Sequence, residues 1–181
     1  MPAGTAFSTT VDDTNYQFVT ISDVTSNNTG GVVSFDSTKI YEGTYVTTKF
    51  LVDTSDVEQR FLLGNDRADT STLTVQVQTS ASDTTTTTYT KATDITQLSS
   101  ASTVYYLQEV DAGRFEVYFG DGVVSRALSD GNIIIMQYVV TNKTVANGAS
   151  SFSAPSLIDG VSDITTTIVA SASGGAEPES L

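Results

Sequence analysis

The chain has 181 residues, enough for one domain with a sizeable core. It holds no His, Cys or Trp, which excludes imidazole acid–base chemistry, thiol nucleophiles, disulfides and thiolate metal sites. Its net charge of −13, from 21 acidic against 8 basic residues, argues against nucleic acid or an anionic membrane as partner and suits a basic protein surface.

Residues 1–15 are polar and turn-rich, and Asp12 and Asp13 precede the first clear strand at 16–22. There Tyr16, Phe18 and Thr20 share one face, while Gln17, Val19 and Ile21 share the other. Asn27-Asn28-Thr29-Gly30-Gly31 is a turn cluster, because Asn and Gly tolerate positive φ. A short strand follows at 32–35. A longer one at 39–53 is interrupted by Gly43, the mark of a bulge or bend. Residues 57–63 are apolar enough for a strand, and 64–69 read as a loop.

Leu73, Val75 and Val77 alternate with Thr74, Gln76 and Gln78, a period of two that puts one face on a core. Residues 79–88, with five consecutive threonines after Asp83, form a loop or hairpin tip from which a strand emerges to reach Tyr89. Residues 94–102 allow one helical turn, capped by Thr93 or Asp94. Strands at 104–110 and 114–119 flank Asp111-Ala112-Gly113, a three-residue hairpin loop with Gly at the left-handed position. The longest apolar run, 132–141, fits a strand buried on both faces. A final strand is expected at 164–170.

This pattern predicts an all-β or nearly all-β fold: an antiparallel, sandwich-like domain with long loops and at most a short helical turn. Residues 1–170 read as one β-rich middle domain and 171–181 as a linker to a further domain. Both ends have the character of cuts within a longer protein.

The turns are where chemistry must be weighed against architecture. Asp121, in Phe119-Gly120-Asp121-Gly122, is a conceivable calcium ligand with Asp111 and Asp130 near in sequence. Dedicated calcium loops space their acids two apart, and these are not so spaced. The better reading is a turn in which Gly120 and Gly122 take conformations closed to other residues and Asp121 bonds its own loop. Gly120-x-Gly122 lacks the third glycine and following helix of a dinucleotide site. Asp66 and Asp69 offer two carboxylates in a solvated loop. Glu109, Asp111, Glu116 and Asp121 are the acids from which a carboxylate-pair hydrolase would have to be built, although Glu116 alternates toward solvent. Asn27-Asn28-Thr29 and Asn142-Lys143-Thr144 match the glycosylation acceptor pattern but read as turns. Tyr41, Tyr45, Tyr105, Tyr106 and Tyr118 are candidate interface anchors, most of them ordinary sheet residues. No catalytic residue, cofactor or metal is implied.

The run from Phe115 to Val123, followed by Gly131-Asn132-Ile133, Tyr138 and Ala146-Asn147-Gly148, resembles the baseplate wedge subunits of contractile-tailed phages and the wider baseplate J-like family. Tyr41-Glu42-Gly43-Thr44, Tyr105-Tyr106-Leu107-Gln108-Glu109 and the C-terminal Gly-Gly-Ala-Glu-Pro-Glu-Ser-Leu match further pieces. The turn motif is carried by Gly120, Asp121, Gly122, Gly131, Asn132, Asn147 and Gly148, and Ser125 stands where the family usually has Gly. The likeness implies a virion structural protein, assembled in the host cytoplasm. Its partners would be other wedge proteins and a second copy of the full-length subunit, largely through regions outside this piece. The isolated piece is then expected to be a soluble monomer. Thr/Ser richness and acidity would also suit a secreted or cell-surface adhesin-like β-sandwich, and a carboxylate-based glycan hydrolase ranks third.

Overall fold

The computed structural model describes residues 1–176, which are built almost wholly from strands and connecting loops. Two compact units can be distinguished: Val46–Tyr138, and Met1–Tyr45 together with the chain from Val139 onward.

The first of these holds most of a seven-stranded sheet. Its members are β6 (Thr44–Leu51), β7 (Phe61–Leu62), β8 (Ala68–Gln78), β9 (Thr86–Lys91), β10 (Val104–Val110), β11 (Arg114–Phe119) and β12 (Ile133–Val140). The spatial order is β6-β12-β8-β9-β10-β11-β7. Strands β8 and β9 pair antiparallel, with Val75 opposite Tyr89, and β10 and β11 likewise, with Tyr106 opposite Tyr118. Strands β9 and β10 pair in parallel, with Thr90 opposite Val104 and Lys91 opposite Tyr105, across a connection that contains a 3₁₀ turn at Ile95–Gln97.

The all-β class expected from the sequence stands. The facing layers of its core are supplied by one curled sheet: the edge strands β6 and β7 approach, with the Phe50 and Phe61 rings 5.6 Å apart. Edge-to-face contacts continue from Phe61 to Phe119 and from Phe119 to Tyr89. Leu63, Val75, Val117, Ile134 and Met136 are fully buried within this unit. Strand β12 is buried on both faces, as its unbroken apolar sequence requires. Most of its residues face packed side chains rather than water, and apolar burial of this kind is the main force available to a chain without disulfides.

The second unit carries a three-stranded sheet in the order β1-β2-β5, with β1 at Ala6–Val11, β2 at Thr14–Val19 and β5 at Tyr41–Glu42. Asp12 and Asp13 both have positive φ, 47° and 60°, so they form the tight two-residue turn whose twist matches a hairpin. A small ribbon pairs β3 (Asn28–Thr29) with β4 (Val32–Val33) around Gly30 and Gly31. The core here is Phe18, Ala146 and Ala149, covered by Val11, Tyr16, Ile40, Phe152 and Ala172. Gly43 is required at its position: φ is 126°, and a Cβ would collide with the Val140 carbonyl.

Several expectations are corrected. Strand β1 was hidden in the polar N-terminal stretch, because its buried face uses Phe7 and Thr9 and offers little apolar signal. Of the strand expected at 57–63 only Phe61–Leu62 forms. The preceding residues turn on Asp53 and Asp56, whose carboxylates accept the backbone N–H of Ser55 and Glu58. The loop expected at 64–69 gives way to strand at Ala68. The strand expected at 164–170 does not form: the stretch pairs with no strand, and the chain bends at Val169 and Ala170. Residues 171–176 are tied back, since Ala172 accepts from Gly148 and donates to Ala149. The remainder of the expected linker lies outside the described residues.

Candidate functional site

The turn that joins β11 to the long segment before β12 is the most constrained local structure among the motif residues. A Cβ at Gly120 would collide with Oγ and the carbonyl oxygen of Ser125. Gly122 has φ of 88°, and its N–H donates to the Ser125 carbonyl at 2.9 Å. Asp121 Oδ1 accepts the Val123 N–H at 2.9 Å. That bond, with a weaker one to Val124, holds the carboxyl below the usual carboxylate range. Gly120 is therefore needed for close approach and Gly122 for its backbone angle. Asp121 is exposed and serves its own loop.

Ser125 is wholly buried, and its hydroxyl lies 3.3 Å from the Tyr106 hydroxyl. Its φ is not positive, so a side chain fits where the resembling family usually has Gly. The Tyr106 ring stacks on Tyr118 with centroids 5.2 Å apart. Tyr105 is in the core, whereas Tyr118 is 44% exposed.

Gly131, with φ of 78°, and Asn132 close a second knot. Gly131 donates to the Val52 carbonyl, and the Asn132 carbonyl accepts from Val52. The Asn132 side chain accepts from Ser129 N–H and donates to the Thr79 carbonyl, both at 2.8 Å. Asp130 accepts the Thr54 N–H. Asn147 and Gly148 make a third. Asn147 Nδ2 donates to the Gly175 carbonyl at 3.0 Å, and its Oδ1 accepts the Gly175 N–H at 3.1 Å. Gly148 has φ of 89°. The pairing partner of Asn147 lies far along the chain, a tie that sequence alone could not reveal.

Some of the acidic candidates are occupied and the others are simply exposed. Glu116 forms a two-pronged ion pair with Arg60, at 2.6 and 3.0 Å, which holds the Glu116 carboxyl below its ordinary range. A general acid needs the opposite shift. Glu109 and Asp111 are exposed. Asp69 accepts the N–H and hydroxyl of Ser71. Among the described residues, no three acidic side chains gather as a cation site.

Sequence reasoning passed over Glu42 except as part of the wider motif. Its carboxylate accepts the Thr141 hydroxyl, the Asn142 N–H and the Asn142 side-chain amide, each at 2.7 Å. The same Asn142 belongs to a glycosylation-like triplet. Its side chain is already committed to this clamp.

Among the described residues, two open hollows stand out. One, of about 290 Å³, is lined by Thr90, Lys91, Asp94, Gln97 and neighbouring residues; the other, of about 140 Å³, by Ser8, Thr9, Thr10, Asn15, Ser151 and Ser153. Neither has the apolar walls and converging polar groups of a ligand pocket.

A sequence profile described as "Bacteriophage baseplate wedge protein gp6, third domain" matches residues 46–150. The chain belongs to this family. The match begins at Val46, where the unit built on the curled sheet begins, and ends just beyond the Asn147-Gly148 knot. The chain is also similar to the "Baseplate wedge protein gp6" of Enterobacteria phage T4, with 26% identity over 209 aligned positions. That alignment covers 100% of this chain and 30% of the T4 protein, so the chain spans under a third of its relative. The knots at Gly120–Gly122, Gly131–Asn132 and Asn147–Gly148 all lie inside the matched segment.

Proposed function

We propose that this chain is a structural, non-catalytic portion of a wedge subunit in a phage tail baseplate, acting within the virion by joining baseplate proteins. The match of the third-domain profile over 46–150 carries this reading. The local chemistry agrees with it: the motif residues brace turns, and the Asp121 and Glu116 carboxyls are held low by the Val123 backbone bond and by Arg60. In this view residues 1–170 are a β-rich middle portion of a longer protein. The full-length subunit meets other wedge proteins and a second copy of itself, and the isolated piece is a monomer. Neither nucleic acid nor membrane is a partner, because a net charge of −13 repels both.

Deletion of the gene in the phage tests the reading. Lysates should lack complete baseplates, and plasmid-borne protein should restore them. Normal tails on deletion would refute it.

A further inference from the structure

Residues 162–170 read Ser-Asp-Ile-Thr-Thr-Thr-Ile-Val-Ala, and every residue from Ile164 to Val169 is β-branched. Such side chains favour extended backbone and pack well on a pleated surface. Yet the stretch belongs to no sheet. Among the described residues, no backbone–backbone hydrogen bond ties 162–171, and the contact made by Thr166 is from its hydroxyl to the Phe152 carbonyl. Ile168 is 38% and Val169 79% exposed.

The stretch is nonetheless held at both ends. Before it, Ser153 exchanges two backbone bonds with Ser8 on β1, and Ile158 pairs with Val161 across the Asp159-Gly160 turn. After it, Ala172 is bonded to Gly148 and Ala149 and packs in the Phe18 core. A long structureless loop in a compact protein is usually functional or disordered. This one combines anchored ends with a strand-forming sequence whose donors and acceptors are unpaired.

We propose that residues 164–170 are a donor strand, which completes the open edge of a β-sheet in a neighbouring protein of the assembly. The inference rests on the baseplate reading above. A row of free N–H and C=O groups on a strand-forming sequence is answered by another sheet edge, and the side chains of alternate faces then select the partner. Charge identifies which kind of partner. A second copy would bring a further −13 and its own Asp159 and Asp163 beside the strand, so the fitting edge belongs to a different chain and is flanked by Lys or Arg.

Hydrogen exchange of the full-length protein, free in solution and within purified tails, tests this directly. Residues 164–170 should exchange quickly in the free protein and at least about 100-fold more slowly in tails, as for ladder amides. In parallel, Thr167→Pro removes one donor from the strand. It should leave the melting temperature of the free protein unchanged while lowering incorporation into tails about tenfold or more; Thr167→Val should incorporate normally. Tails that contain the protein with 164–170 unprotected, or that accept Thr167→Pro as readily as wild type, overturn this inference alone. Protection that rises with the concentration of the free protein assigns the strand to a second copy and overturns the choice of partner. Absence of the protein from tails overturns the baseplate reading as well.

Discussion

Gly120→Ala is the sharpest probe of whether the β11 turn is architecture. The new methyl group meets Ser125 Oγ and the Ser125 carbonyl oxygen, and the second of these is backbone. Relief requires the turn to open, which costs about 1–3 kcal/mol as overpacking. It also weakens the Gly122 N–H to Ser125 carbonyl bond, worth about 1 kcal/mol. Loss of unfolded-chain freedom returns about 0.4–1 kcal/mol. The net loss is about 2–3 kcal/mol, or about 5–10 °C in melting temperature for a chain of this size. Urea titration followed by far-UV circular dichroism suits a protein without Trp. The double variant Gly120→Ala with Ser125→Gly removes the Oγ clash but keeps the carbonyl clash. Its loss should therefore fall short of the sum of the single losses by about 1 kcal/mol. If Gly120→Ala lies within about 0.5 kcal/mol of wild type, the tight approach to Ser125 is not what requires glycine there.

Glu42→Ala should cost about 2 kcal/mol, because three donors from Thr141 and Asn142 lose a charged acceptor; Glu42→Gln should recover part of it in the same titration. Arg60→Met should cost about 1 kcal/mol, since Arg60 is half exposed although Glu116 is mostly covered, and a much larger loss would mark Arg60 as a core brace. The carboxyls of Asp53, Asp83, Asp94, Asp121 and Glu116 are all held low in the folded chain, first by bonds to Ser55, Thr85, Thr96, Val123 and Arg60 respectively. Their stabilisation is present above the unfolded carboxylate range and is lost as pH falls through the lowered folded values. Melting temperature in 0.5 M salt, which screens the net charge to about a 4 Å Debye length, should thus drop below about pH 4. Asp94→Asn with Asp121→Asn should flatten that drop, and a melting temperature that keeps rising to pH 3 would contradict the assignment. At the other limit, burial raises the Tyr45, Tyr89 and Tyr105 hydroxyls. Their contribution is complete below the unfolded tyrosine value and is lost as pH rises, so stability should decline above about pH 10.

What the sequence disclosed followed from how strongly each segment declared its burial. Ile133 to Val140 has no polar face, and only a doubly covered strand accommodates that. The β10–β11 hairpin was legible because Asp111-Ala112-Gly113 breaks two alternating runs; both Ala112 and Gly113 take positive φ. Asp94 caps its 3₁₀ turn by accepting the Thr96 N–H, as expected of a short acid before a helical turn. Strand β1 escaped notice because threonine can be buried without registering as apolar; Thr9 is only 6% exposed. Val57 misled in the other direction, standing 91% exposed within the turn that Asp56 caps. At the motif residues, the conformations of Gly122, Gly131 and Gly148 were readable from turn chemistry. The Gly120 contact with Ser125 and the Asn147 tie to Gly175 depend on approaches that only the folded chain reveals. The strand expected at 164–170 does not form in this chain, because β-branched propensity alone supplies no pairing partner.

Residence of this chain in the tail baseplate is open to direct observation in the virion. Antibodies raised against residues 46–138, applied with gold labelling to purified, partly disrupted virions, locate it. Label concentrated at the baseplate end of the tail is the expected result. Label confined to the capsid, or found only in the unassembled soluble fraction, would contradict it.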